Sequence, residues 1–178
     1  MPPAYKLIFM TKQSDSGSRN TATLATTPAP PARLASKHLL GIEGLNPLEI
    51  NALIDRGDMF ADLIHEEQPI TPPLSEVLKG RTVLNLFFEN STRTRVSFEL
   101  AAKNLGGSVL NINVAGSSVK KGETLLDTLQ NIEAMKIDMV VVRHKSSGAP
   151  YYLTQCVDAN VINGGDGAHE HPTQALLD

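Results

Sequence analysis

A chain of 178 residues, 41% of them hydrophobic, is long enough for one domain with a substantial core. Its formal charge of −3, with both signs interspersed, lacks the electrostatic footprint of a nucleic-acid binder, and no apolar run nears the roughly 20 residues that span a bilayer. Cys156 is the single cysteine, which excludes an internal disulfide and a cysteine-built zinc site and fits a reducing cytoplasm.

Residues 1–36 read as a disordered tail ahead of a domain at 37–178. Gln13 to Ser36 is rich in Ser, Thr, Ala and Pro, with Pro28, Pro30 and Pro31 close together. It carries too little apolar surface to offset its ordering entropy. Lys12, Arg19 and Arg33 against the single acid Asp15 would suit an organelle transit peptide. However, the stretch has no amphipathic period, and Leu7 to Met10 is a poor secretory core. A mobile tail is the favoured reading, with Met10 as an alternative start.

From Pro47, the positions Ile50, Leu53, Ile54, Gly57, Ala61 and Ile64 follow helical spacing, with Asn46 as N-cap and Pro47 at the first helical position. A loop broken by Pro69, Pro72 and Pro73 follows. Thr82 to Phe88 reads as a buried strand. Thr92 to Leu105 reads as a helix with a core face of Thr94, Ser97, Phe98, Ala101 and Leu105, closed by Gly106-Gly107 in the left-handed manner. Val109 to Val114 is an expected strand, Glu123 to Met135 a helix and Asp138 to Arg143 a β-branched strand. A short helix at Tyr151 to Val157 precedes a strand at Asn160 to Asn163. The run Gly164 to Gly167 reads as a flexible turn that lets the backbone approach a ligand, and a further helix begins near Pro172. Because the chain stops at Asp178 inside that helix, with no stop signal, a continuation into a second domain is expected. Strands alternating with helices predict an α/β fold: a parallel sheet with helices on both faces, built from right-handed crossovers.

Ligands of such sheets bind beyond the carboxyl ends of the strands. Four polar loops fall there: Asn90 to Arg95, Gly116 to Lys121, Arg143-His144 and Gly164 to Gln174. The first is the most informative. Ser91, Thr92, Arg93, Thr94 and Arg95 bring hydroxyls and guanidinium groups to a strand-to-helix turn, where unpaired N–H groups and the positive end of the helix dipole attract anions. The planar fork of Arg93 suits a phosphate. The plainer alternative makes Ser91 or Thr92 an N-cap and leaves the arginines solvated.

FFENSTRTRVSFE at 87–99, SSVKKGET at 117–124 and HPTQALLD at 171–178 stand in the order and spacing of three motifs of the aspartate/ornithine carbamoyltransferases. The chain resembles that family from about Lys37 to Asp178, and its fold would then be the first of the family's two domains. The resemblance implies that Ser91, Thr92, Arg93 and Thr94 bind the phosphate of carbamoyl phosphate. Arg143 would bridge phosphate and carbonyl oxygen, His171 and Thr94 would donate to that oxygen, and Gln174 would orient the carbamoyl NH2. Arg93, Thr94, Arg143 and His171 are thus the catalytic set. Ser117 and Lys121 match a serine and lysine that reach a neighbouring subunit's site, implying a homotrimer with shared sites, with room for regulatory or dihydroorotase-like chains.

Carbamoyl transfer needs charge placement and alignment and no covalent intermediate, so no cofactor or metal is expected. His169 and His171 with Glu170 are short of a third strong metal ligand. Arg143 as a surface ion pair and His171 as a backbone-satisfied histidine remain the plain alternatives, and His144 has no distinct role. Glu89-Asn90, Lys121 to Thr124, and Thr173 where the ornithine type has cysteine favour the aspartate type. Its substrates are carbamoyl phosphate and L-aspartate, and its setting is pyrimidine synthesis in the cytoplasm. An ornithine-type enzyme and a non-catalytic carbamoyl-phosphate-binding or assembly module are the other readings.

Overall fold

The computed structural model describes residues 34–114, 128, 131–132 and 134–178. It contains α1 (Pro47–His65), a 3-10 turn (Leu74–Glu76), β1 (Thr82–Phe87), α2 (Thr92–Asn104), β2 (Ser108–Asn113), β3 (Met139–His144), α3 (Ala149–Thr154), β4 (Asn160–Asp166) and α4 (Pro172–Ala175). The strands form one parallel sheet in the order β2-β1-β3-β4. Leu39 adds a parallel bridge to Ile162 at the outer edge of β4. All carboxyl ends therefore lie on one rim.

The central strands are near-continuous apolar runs, broken in β1 by the buried Asn85, because both faces are covered. Leu84, Leu86, Val140, Val142 and Val161 point to one side, packed with Ile132 and Leu153. Val83, Phe87 and Val141 point to the other, against Ala102 and Phe98 of α2. The expected parallel α/β sheet with both faces covered is what the chain forms.

Several local expectations need correction. On α2, Ala101 is exposed and Ala102 is buried, so the apolar stripe runs through Phe98, Ala102 and Leu105, one position round from the expected face. On α1, Ile54 is 39% exposed and the only buried residue is Glu49. Glu49 is buried because it closes a capping box with Asn46, accepting from Asn46 N at 2.9 Å, and also takes the Ala35 N–H; the proposed cap and Pro47 stand as read. Gly164 to Asp166 are strand residues within β4 and buried, not a flexible turn, because pairing of β4 with β3 continues to His144–Asp166. The short helix runs Ala149–Thr154, earlier than Tyr151 to Val157, since its N-cap Gly148 takes the left-handed conformation at φ 81.

Gly106 ends α2 at φ 83, and a Cβ there would meet Ser75 O at 2.3 Å. The expected tail falls almost wholly outside the described residues, as do most of the Glu123 to Met135 helix and the loop bearing Ser117 and Lys121. Among the described residues no helix is long and apolar enough to cross a membrane.

Candidate active site

The turn from β1 into α2 places Ser91 at the N-cap of α2, yet its side chain does not cap the helix. Its hydroxyl instead donates to Thr94 Oγ1 at 3.0 Å. The first-turn N–H groups of α2 therefore keep their positive potential free of a side-chain acceptor. Thr92 and Arg93 are exposed and Thr94 and Arg95 half-buried. Among the described residues the Arg93 guanidinium has no hydrogen-bond or ion-pair partner.

Register carries that turn to Arg143. Phe87 pairs with Arg143 across β1 and β3, and Phe88 N donates to Arg143 O at 2.9 Å. The next residue, Glu89, brings its Oε2 to 3.5 Å from Arg143 Nε. That is an ion pair too long for a hydrogen bond, and Nε is left buried without a hydrogen-bond partner. On the other side Arg143 Nη1 donates to Gly164 O at 2.9 Å.

Gly165 brings Arg143 and His171 together. It sits at φ +116, and a Cβ on it would lie 2.5 Å from Arg143 Nη1 and 3.3 Å from His171 Cδ2. Burial, and then the neighbouring Arg143 charge, hold the His171 imidazole below the usual histidine pKa, so the ring is neutral at neutral pH. The Thr173 hydroxyl is 3.3 Å from His171 Nδ1; in the tautomer in which it donates there, the ring proton is on Nε2. A guanidinium and a neutral imidazole N–H on one glycine shelf are suited to an oxygen that gains negative charge.

The remaining expected residues are less gathered. Gln174 is exposed, and its Nε2 donates to Asp178 Oδ1 at 3.1 Å. Among the described residues no hydrogen bond joins Thr94 to Arg143 or His171; its hydroxyl accepts from Ser91. Ser117 and Lys121 lie outside them. His144 packs edge-on against Phe88 at 4.8 Å and accepts from Ser146 N, a structural role. His169 turns to Asp166, and among the described residues no group of three or more His, Cys, Asp or Glu is arranged to hold a metal. Two clefts of about 370 and 290 Å³, both lined by Asp138 and Asn160, open at the amino ends of the strands, the wrong end of a parallel sheet for ligand chemistry.

The sequence reading missed Glu89 as part of the site, and it placed Gly165 in a rim loop that lets the backbone approach a ligand, where the structure has a buried strand glycine. A glycine inside a buried strand is itself a signal of close approach. Nothing local marks Glu89, whose role depends on β1–β3 register. Its carboxylate competes with any anion for Arg143, so Glu89→Gln is expected to raise the affinity for inorganic phosphate about two- to fivefold, the range of a partly exposed ion pair. Calorimetry on this chain reads it, and unchanged affinity would show that Glu89 does not compete.

Residues 37–178 match the family model described as "Aspartate/ornithine carbamoyltransferase, carbamoyl-P binding domain". The chain is 59% identical over 146 residues to the aspartate carbamoyltransferase catalytic subunit of Acidiphilium cryptum, covering 82% of this chain and 46% of that one. It is 58% identical over 142 residues to that of Rhodospirillum rubrum, covering 80% and 43%. It thus spans about half the length of the curated relatives it matches. Among solved structures it is similar to Trypanosoma cruzi aspartate transcarbamoylase in complex with aspartate and phosphate. That match has a TM-score of 0.72 at 38% identity, over 84% of this chain and 47% of that one. The catalytic subunit of the M. jannaschii enzyme matches with a TM-score of 0.69 at 38% identity, over 80% and 45%.

Proposed function

The chain belongs to the aspartate/ornithine carbamoyltransferase family through its carbamoyl-phosphate-binding domain, and from that premise we propose that it forms the carbamoyl-phosphate half of an aspartate carbamoyltransferase site. The observation that carries this reading is the meeting of Arg143 and His171 over Gly165, on the rim where the uncapped α2 turn also opens. The phosphate sits on Ser91, Thr92, Arg93 and Thr94, held by hydroxyls, first-turn N–H groups and the Arg93 fork.

The α-amine of L-aspartate attacks the carbamoyl carbon, and the carbonyl electrons move to oxygen. Arg143 and neutral His171, aided by Thr94, donate to that oxyanion. As the carbonyl re-forms, the bond from carbon to the phosphate oxygen breaks. Phosphate leaves, the amine loses a proton and N-carbamoyl-L-aspartate results. Gln174 turns from Asp178 to orient the carbamoyl NH2, a rotation its exposure permits.

Ser117 and Lys121 complete a neighbour's site in a homotrimer, and the enzyme serves pyrimidine synthesis in the cytoplasm. In the relatives more than half the length lies outside the matched span, and that part carries the groups for aspartate's carboxylates. Residues 37–178 by themselves therefore bind the donor without carbamoylating aspartate, and measurable turnover by that span would overturn the division of labour. The direct test is Arg93→Ala. It should weaken inorganic phosphate binding about 10- to 100-fold, the worth of a charge-assisted fork, and unchanged affinity would return Arg93 to solvent.

A further inference from the structure

Asp166 closes β4 with a side chain 1% exposed, and a buried carboxylate is costly unless its oxygens are satisfied. Here they are, from three segments. Oδ1 accepts from Asn163 Nδ2 at 2.9 Å and from Glu170 N at 3.0 Å. Oδ2 accepts from Gly148 N at 2.8 Å. His169 Nδ1 sits 3.2 and 3.1 Å from the two oxygens. The backbone repeats the closure, since Asp166 N donates to Glu170 O at 3.2 Å. Burial opposes ionisation, but the bonds from Asn163, Gly148 and Glu170 and the nearby His169 together hold the carboxyl below its ordinary pKa.

Two of these donors lie on the segments that carry the site residues. Glu170 immediately precedes His171, and Gly148 ends the loop that leaves β3 after Arg143. Asp166 is therefore the knot between the loop that presents the imidazole and the loop that follows β3, the strand that carries Arg143. We propose that Asp166 is a positioning residue, whose carboxylate fixes the spacing between Arg143 and His171 so that both donors reach one carbonyl oxygen. This rests on the reading of Arg143 and His171 given above. An amide cannot substitute. Donors approach both oxygens of Asp166, so an asparagine side chain in its place would present NH2 to another N–H at one end.

The test compares two probes on this chain: phosphonoacetamide, which carries a carbamoyl-like carbonyl, and methylphosphonate, which carries only the dianion. The unaltered chain should prefer phosphonoacetamide. In Asp166→Asn that preference should fall about tenfold, the scale expected when a contact is displaced by a fraction of an ångström, while methylphosphonate affinity stays within about twofold. Equal losses for both probes would make Asp166 a residue of general stability and overturn the proposal, as would an unchanged preference. If Asp166→Asn does not fold, His169→Ala removes one donor from a side chain that is 54% exposed, and the preference should drop about threefold. An unchanged preference there also overturns it. No preference in the unaltered chain would instead remove the carbonyl-donor reading of Arg143 and His171, and this inference with it.

Discussion

Gly165→Ala is expected to lower phosphonoacetamide affinity about 100-fold while leaving a folded chain. The added methyl group would stand 2.5 Å from Arg143 Nη1 and 3.2 Å from its Cζ, with His171 Cδ2 at 3.3 Å. The strand backbone cannot yield, because Gly165 N donates to the buried Asn163 Oδ1 at 2.8 Å. The long Arg143 side chain can, so the guanidinium moves off the shelf and gives up Gly164 O and the ligand together. A separate cost of about 1–3 kcal/mol in stability comes from alanine at φ +116. Gly80→Ala separates the two effects. It also has a positive φ, +75, nearer the left-handed region, and nothing within 4 Å of the added carbon, at the amino end of β1. It should show a smaller loss in melting temperature and leave binding intact. If Gly165→Ala binds as well as the parent, Arg143 and His171 do not act from that shelf.

The difference between what the sequence discloses and what it hides is a difference of range. β1 and β3 were legible because a strand buried on both faces is a near-continuous apolar run, a purely local property, interrupted in β1 only by Asn85. Asn46 and Pro47 were legible for the same reason, since capping chemistry acts within one turn. The α2 stripe came out one position off because Ala101 and Ala102 are chemically identical and only the sheet chooses between them. The Gly164 to Asp166 run looked like a turn because glycine and aspartate usually break strands. Its true state follows from pairing with β3, which no local window contains. In the site, the phosphate-suited turn and the strand-end arginine were visible as residue types at strand ends. Glu89 and Asp166 were not, because each acts through a partner more than ten positions away: Arg143 for Glu89, and Gly148 for Asp166. The near-glycine packing of Arg143 against His171 is likewise a product of the fold.

Arg143→Ala should be the most damaging single change to donor binding in the described site, with phosphonoacetamide affinity falling about 100- to 1,000-fold. Arg143 occupies a position no other described residue can fill. Its backbone is locked by the β1–β3 register and by Phe88 N, and one arm is held by Gly164 O. With Nε buried beside Glu89, Nη2 remains for an oxygen on the rim. Truncation removes that donor and leaves His171 to face the carbonyl alone. It also frees Glu89, whose carboxylate then repels the incoming dianion without a counter-charge nearby. A conservative change tests whether charge or shape matters. Lysine keeps the positive charge but has a single ammonium on a flexible stem, and it cannot hold Gly164 O in the strand direction while reaching a second oxygen with fixed geometry. Arg143→Lys should therefore recover methylphosphonate binding to within about threefold of the parent and recover little of the phosphonoacetamide preference. Full recovery by lysine would mean that Arg143 contributes only a field, and the oxyanion role would pass to His171.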